Sequence, residues 1–219
     1  MSFTGLLPAI VRWLNANQGV LSAIIFAATI FLGFATGIFN SLRRVPKFKV
    51  SLIEGPTFAC TFVTGNKYNE FDVHRTAIVL YLSVSNVGSS ASSIHRVSVA
   101  YHWNVNPFSR LWLKYGVGWF WLHDQVVALE DFRVLIGDQM KLYPFLTQAS
   151  YIAPSSVETY LEVGRSTCGV VYFEQSDSWG GCYPKSSSNK VRIKVSIWDV
   201  FGREYKAKFS IPFVPLGTC

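Results

Sequence analysis

No acidic residue precedes Glu54, although Arg12, Arg43, Arg44, Lys47 and Lys49 all lie in that stretch. The formal net charge of the 219-residue chain is +7, and residues 1–53 carry +5 of it. The remainder holds 15 cations against 13 anions. Basicity concentrated beside an apolar run suits membrane orientation and anionic lipid, and argues against a nucleic-acid-binding stripe. Cysteine is also scarce. Cys60, Cys168, Cys182 and Cys219 are spaced unlike any zinc-binding pair of the C-x2-C kind, so a structural zinc site is not expected. A Cys168–Cys182 disulfide is expected only if the domain faces an oxidising compartment. Neither G-x-x-x-x-G-K-[ST] nor G-x-G-x-x-G occurs, and no cofactor is implied.

The most distinctive feature present is Gly19–Phe39, "GVLSAIIFAATIFLGFATGIF", 21 residues without a charge. At about 1.5 Å per residue this length covers the ~30 Å hydrocarbon layer of a bilayer. The cationic flank, Arg43, Arg44, Lys47 and Lys49, follows the run, so the positive-inside rule places the amino terminus outside and residues 41–219 in the cytoplasm, at the plasma (inner) membrane. The rival is a cleaved signal peptide, with small residues Ala35 and Gly37 near a cut; the weakly basic start and the "RRVPK" that follows oppose it. Residues 6–18 read as a short interfacial helix with Trp13 at the membrane surface. Thr29, Gly33 and Gly37 recur at four-residue spacing, the G-x-x-x-G pattern of helix association; a homo-oligomer through the span is one reading, and the bland one is that glycine is common in transmembrane helices anyway.

After Pro46 the period changes to two. Phe48, Val50 and Leu52 alternate with Lys47, Lys49 and Ser51. The same alternation marks Ile78–Val84, Val97–Trp103, Val157–Val163, Val191–Ile197 and Tyr205–Ile211. Such patterning predicts antiparallel strands with one wet face, and "SNVGSSAS" and "DVFGRE" supply turns between them. The expected fold class is all-β: a sandwich of about eight or nine strands behind one transmembrane helix. The organisation is a tail or interfacial helix at 1–18, a span at 19–40, a basic linker at 41–46 and a β-domain at 47–219, with an aromatic insertion at 104–125.

"LYLSVSNVGSSASSIHRVSVAY" and "VRIKVSIWDVFGREYKAKFSIP" resemble two segments of bacterial immunoglobulin-like modules: a strand ending in Asn-x-Gly with its return strand, and the closing hairpin. The resemblance implies an immunoglobulin-like antiparallel sandwich and brings no catalytic residues. Residues 104–156 fall outside it.

Within that exception, "PFSRLWLKYGVGWFWLHDQ" crowds aromatic rings with Arg110 and Lys114. Trp112, Trp119, Phe120 and Trp121, with Trp179 from "YFEQSDSWGGCYP", are the expected contacts for a protein partner or for anionic lipid; the bland alternative is that these rings fill one end of the sandwich. Catalytic signals are weak. "GRSTCG" only loosely approaches a nucleophile elbow, and nothing selects a histidine among His74, His95, His102 and His123 to serve Cys168. Three functions follow: a non-enzymatic interaction module held at the membrane, a defence- or stress-type membrane sensor driven by helix association, and, least supported, a thiol hydrolase using Cys168.

Overall fold

A computed structural model describes residues 12–37, 44–126, 132–148 and 159–214. The chain divides into two compact units, residues 1–44 and 45–219.

In the first unit, α1 (Gln18–Ala35) is an 18-residue apolar helix, about 27 Å long at 1.5 Å per residue. Its length and composition suffice to cross a membrane, a property a signal sequence shares. The expected span reached residue 40, but α1 stops sooner. Thr36 N–H donates to Leu32 O at 2.8 Å, and Gly37 N–H donates to Phe34 O at 3.1 Å. Gly37 then takes the left-handed conformation, φ +73°, which a glycine adopts at no steric cost just past a helix end. Gly37 is therefore a helix stop, and the G-x-x-x-G pair does not lie on one helix. Of that set, Thr29 and Gly33 remain on α1, and Thr29 turns its hydroxyl back to Ile25 O at 2.8 Å. Arg43 and the tail before residue 12 fall outside the described residues.

The second unit is built from strands. They are β1 (Phe48–Leu52), β2 (Phe58–Tyr68), β3 (Phe71–Asn86), β4 (Ser92–Tyr101), β5 (Phe120–Leu122), β6 (Phe132–Ile136), β7 (Gln139–Tyr143), β8 (Tyr160–Leu161), β9 (Ser166–Trp179), β10 (Ser186–Ser187), β11 (Lys190–Asp199) and β12 (Glu204–Val214). Ten of them form one hydrogen-bonded network, and β6 and β7 pair only with each other. The network has two antiparallel halves. One runs from β9 through β3 to β1 and β2; the other runs through β12, β11, β4 and β5. They join where β12 pairs with β2 in parallel, Phe213 opposite Ala59 and Val214 opposite Cys60. The sheet is therefore mixed rather than wholly antiparallel.

Alternation explains the core. Ile78, Leu80, Leu82 and Val84 of β3 are fully buried, as are Val97, Val99 and Tyr101 of β4 and Val191, Ile193, Val195 and Ile197 of β11. These belong to one cluster with Val171 and Phe173 of β9 and Ile211 of β12, so both halves contribute to a single core. At about 25 cal/mol per Å² of apolar surface, burial of such side chains is the main stabilising term. The opposite face of β3 is also covered: Val79 and Val170 pack with Phe145, flanked by Phe132 and Tyr143 of the β6–β7 hairpin. Among the described residues of the 157–163 segment, strand pairing is confined to β8; Leu161 is buried there, and Val163 beyond it is 54% exposed.

Both turns of the immunoglobulin-like resemblance are tied by buried side chains. Asn86 Nδ2 donates to Ser90 O at 2.8 Å and to Leu161 O at 3.0 Å, and its Oδ1 accepts from Gly88 N–H at 3.0 Å and Lys47 N–H at 3.3 Å. Asp199 Oδ1 accepts from the N–H groups of Phe201 and Arg203, each at 2.9 Å. Val45 joins the first turn, exchanging hydrogen bonds with the N–H and hydroxyl of Ser89. The chain thus enters this unit at the Asn86 end of β3.

Candidate functional site: an aromatic end and a basic face

The opposite end of β3 begins at Phe71. Fifteen residues of strand at about 3.2–3.4 Å each put that end roughly 50 Å from Asn86. Four turns of chain converge there. The Tyr68–Phe71 hairpin has Asn69 in the left-handed region, φ 54°. The "WGG" turn after β9 packs so closely that a Cβ on Gly181 would meet Asn104 O at 2.2 Å. Asn104 N–H also donates to Tyr183 O at 2.9 Å, which aligns 183–185 with the end of β4. The fourth is the insertion itself, where Ser109 Oγ accepts from Trp112 N–H at 2.9 Å and starts a wide helical turn, Trp112–Val117.

Together these turns border a hollow of about 770 Å³ lined by Phe71, Val105, Pro107, Leu111, Trp112 and Tyr183 among others. Beside it, Tyr68 stacks on Trp179 with centroids 4.3 Å apart, and Trp179 remains 42% exposed. Phe108 contacts the Trp112 ring at 5.4 Å yet is 89% exposed. It also holds φ +66°, a conformation costing about 1–2 kcal/mol for a bulky residue. Non-glycine residues held in the left-handed region cluster at functional sites. Arg110 and Lys114 are exposed on the same segment, with Lys114 Nζ 4.9 Å from the Tyr115 ring centroid.

The predicted contact residues thus separate. Trp112 and Trp179 meet at the aromatic end. Phe120 turns inward against Tyr101, Trp103 and Tyr115, with centroids 4.7–5.5 Å apart, and serves packing. Trp119 and Trp121, its neighbours in a period-two strand, face the other way, onto the outer surface of the β5–β4–β11–β12 half. There Lys194 Nζ lies 5.4 Å from the Trp119 ring and 5.9 Å from that of Trp121.

That outer surface was hidden in the sequence. Register aligns Trp121, Ala100, Lys194 and Lys208 in one row across the strands. The next row toward the aromatic end holds His102, Arg192 and Ser210, with Trp119 against His102 at 4.0 Å. Lys185 and Lys190 follow. Glu204 is the one acid on this face of β11 and β12, and it is engaged by Lys206 and Ser196, each at 2.5 Å. Burial acts to raise its pKa, but the hydrogen bonds from Lys206 and Ser196 and the nearby lysine charges bring it below the usual carboxylate range.

Cys168 and Cys182 are not placed to bridge. Cys168 is opposite Ser83 near the Asn86 end of β9, whereas Cys182 follows Trp179 at the far end. Eleven residues of strand separate Cys168 from Trp179, on the order of 35 Å, against the ~7 Å limit for the Cα atoms of a disulfide. The two cannot pair, and both are free. The polar neighbour of Cys168 is the Tyr81 hydroxyl at 3.8 Å rather than a histidine.

No protein-family model and no curated protein matches this chain. Among solved structures, it is similar to AvmM, which catalyses macrocyclization in alchivemycin A biosynthesis, with 11% identity, a TM-score of 0.30, and coverage of 78% of this chain and 92% of that one. At that TM-score the likeness carries no argument about fold or chemistry.

Proposed function

We propose that this chain is a single-pass membrane protein whose β-unit is an immunoglobulin-like sandwich in the cytoplasm, acting as a non-enzymatic interaction module. The observation that carries the reading is the aromatic end: an open hollow lined by Phe71, Leu111 and Trp112, with Trp179 stacked on Tyr68 and part-exposed, and with Phe108 exposed in a strained conformation. An exposed cluster of large rings near cations is the usual make-up of an energetic hot spot. The partner is a protein presenting an apolar side chain flanked by carboxylates, complementary to Arg110, Lys114 and Lys185. Arg43, Arg44, Lys47 and Lys49 are the cations for anionic lipid at the inner face. The paired turns at Asn86 and Asp199, and a core shared by two strand groups, support the immunoglobulin-like assignment.

Two experiments test this. Alkaline phosphatase and green fluorescent protein are fused separately to Cys219 in a bacterial host; fluorescence without phosphatase activity is expected, and the reverse overturns the cytoplasmic placement. The complex recovered after in-cell crosslinking is then compared between the parent chain and Trp112→Ala/Trp179→Ala. Loss of two central rings lowers its yield by about tenfold or more. A folded double variant with unchanged yield removes the aromatic end from the account.

A further inference from the structure

On the outer face of β4, β11 and β12 lies a cavity of about 530 Å³ lined by His102, Gly116, Lys185, Ser187, Lys190, Arg192 and Ser210. Three side chains of fixed positive charge line it, with two hydroxyls and an imidazole, and no carboxylate does. Unneutralised like charges gathered in one concavity are unfavourable until an anion enters. Its volume falls within the ~300–1,000 Å³ of small-molecule sites. Arg192 offers a planar donor fork suited to two oxygens of one group, and the lysines and serines offer single donors around it. A second hollow of about 340 Å³ shares Arg192 and Ser210 and is walled by Trp119 and Phe209. From this geometry we infer a binding site for a phosphomonoester, its phosphoryl group held by Arg192, Lys185 and Lys190 and its organic body directed toward Trp119.

His102 reports on the site. Its Nδ1–H donates to Gly118 O at 2.7 Å, which leaves Nε2 to gain the second proton. Burial lowers its pKa first, and Arg192, Lys185 and Lys194 lower it further, against the opposing Gly118 bond. Trp119, the remaining group packed on the ring, does not titrate. A bound phosphoryl group offsets the three cations, so it raises the His102 pKa. By linkage, protonation of His102 tightens binding of any one ionic form of the phosphate. The site shares Lys185 with the aromatic hollow but uses neither Trp112 nor Trp179, so Arg192→Gln and Trp112→Ala/Trp179→Ala test the two separately.

The test uses the full chain in nanodiscs of zwitterionic phosphatidylcholine with histidine ring carbons followed by NMR. Inorganic phosphate is the first probe. Saturable movement of the His102 signals below about 10 mM is expected, that being the weak end of small-ligand affinity. Arg192→Gln and Lys185→Gln each weaken it about tenfold or more, the loss of a charge-assisted hydrogen bond. Arg165→Gln, beside Asn86 at the other end of the unit, leaves it unchanged. Incorporating phosphatidic acid distinguishes the source of the phosphoryl group: if His102 responds to it as well, a lipid headgroup can supply the ligand; if it responds to free phosphate alone, the ligand is soluble. No His102 response, an equal response to sodium chloride at matched ionic strength, or an equal response to phosphatidylglycerol overturns the proposal. So does saturable binding of an oligonucleotide with none of phosphate, which would make the face a polyanion surface.

Discussion

Asn86 is a side chain whose removal should be felt across the β-unit. It is fully buried, and its amide makes four hydrogen bonds, to the entering chain at Lys47, to Gly88 and Ser90 within its own turn, and to Leu161 of β8. A hydrogen bond contributes about 1 kcal/mol net, and a buried partner left unsatisfied costs about 1–3 kcal/mol. Some of these partners are only part-buried and regain water, so Asn86→Ala is expected to cost about 3–5 kcal/mol. That is a large share of the roughly 5–15 kcal/mol that stabilises a domain. At about 2–4 °C per kcal/mol for a unit of this size, the melting temperature falls by roughly 10–15 °C. Asn86→Asp is sharper still. It keeps the shape but sets a carboxylate oxygen against the carbonyls of Ser90 and Leu161, where only a donor fits. That carboxyl binds its proton more tightly folded than unfolded. The deficit of Asn86→Asp is therefore full near neutral pH and shrinks as pH falls toward the ordinary carboxyl range near 4. Thermal unfolding of the full chain in nanodiscs, followed by tryptophan fluorescence, measures both variants. A loss below about 1 kcal/mol for Asn86→Ala, or a deficit of Asn86→Asp that does not depend on pH, would refute the reasoning.

Gly88→Ala strikes the same junction, because the new Cβ would sit 2.3 Å from Lys47 N and 2.4 Å from Val45 O; a loss of at least about 2 kcal/mol in the same unfolding assay is expected, in the range of a strained core substitution. Cys168 and Cys182 should both react with a thiol reagent on the native protein after exposure to oxidant without other thiols, and a mass showing them joined would contradict the strand geometry. His102 carries a lowered pKa in the folded chain, so the unfolded chain binds its proton first: its contribution to stability is complete above about pH 6.5 and declines as pH falls below that value. Denaturant midpoints for the parent and His102→Gln between about pH 5 and 7.5 test this, with the parent expected to lose stability relative to the variant on acidification.

Much of the strand framework was legible because most strands alternate apolar with polar residues. Along β11 the buried Val191, Ile193, Val195 and Ile197 alternate with Arg192, Lys194 and Ser196 in sequence as in space. The face of β3 bearing Val79 was not legible, since it is covered by Phe145 and the distant β6–β7 hairpin, a contact that no local period records. The helix ends at Ala35 although the apolar run continues, because Gly37 takes a left-handed conformation just past it. Cys168 and Cys182 look close in sequence, but an extended strand turns that spacing into distance. The basic face escaped notice for a related reason. Arg192, Lys194, Lys206 and Lys208 look like ordinary solvent positions strand by strand, and the nearly balanced charge of the domain conceals them. Only the register of β11 against β4 and β12 gathers them beside His102 and Trp119. Within the insertion the aromatic crowding was visible, but the division between inward Phe120 and outward Trp119 and Trp121 needed the pairing of β5 with β4.

The most direct test of the central claim is site-specific photocrosslinking in native cells. A photoreactive residue replaces Phe108 or Phe71 at the aromatic end, or Phe201 or Lys49 at the opposite end, and crosslinked species are identified by mass spectrometry. The account predicts one defined protein captured from Phe108 and Phe71 and not from Phe201 or Lys49, with capture abolished by Trp112→Ala/Trp179→Ala. Capture of lipid alone from Phe108, or the same protein captured equally from all four positions, would contradict it.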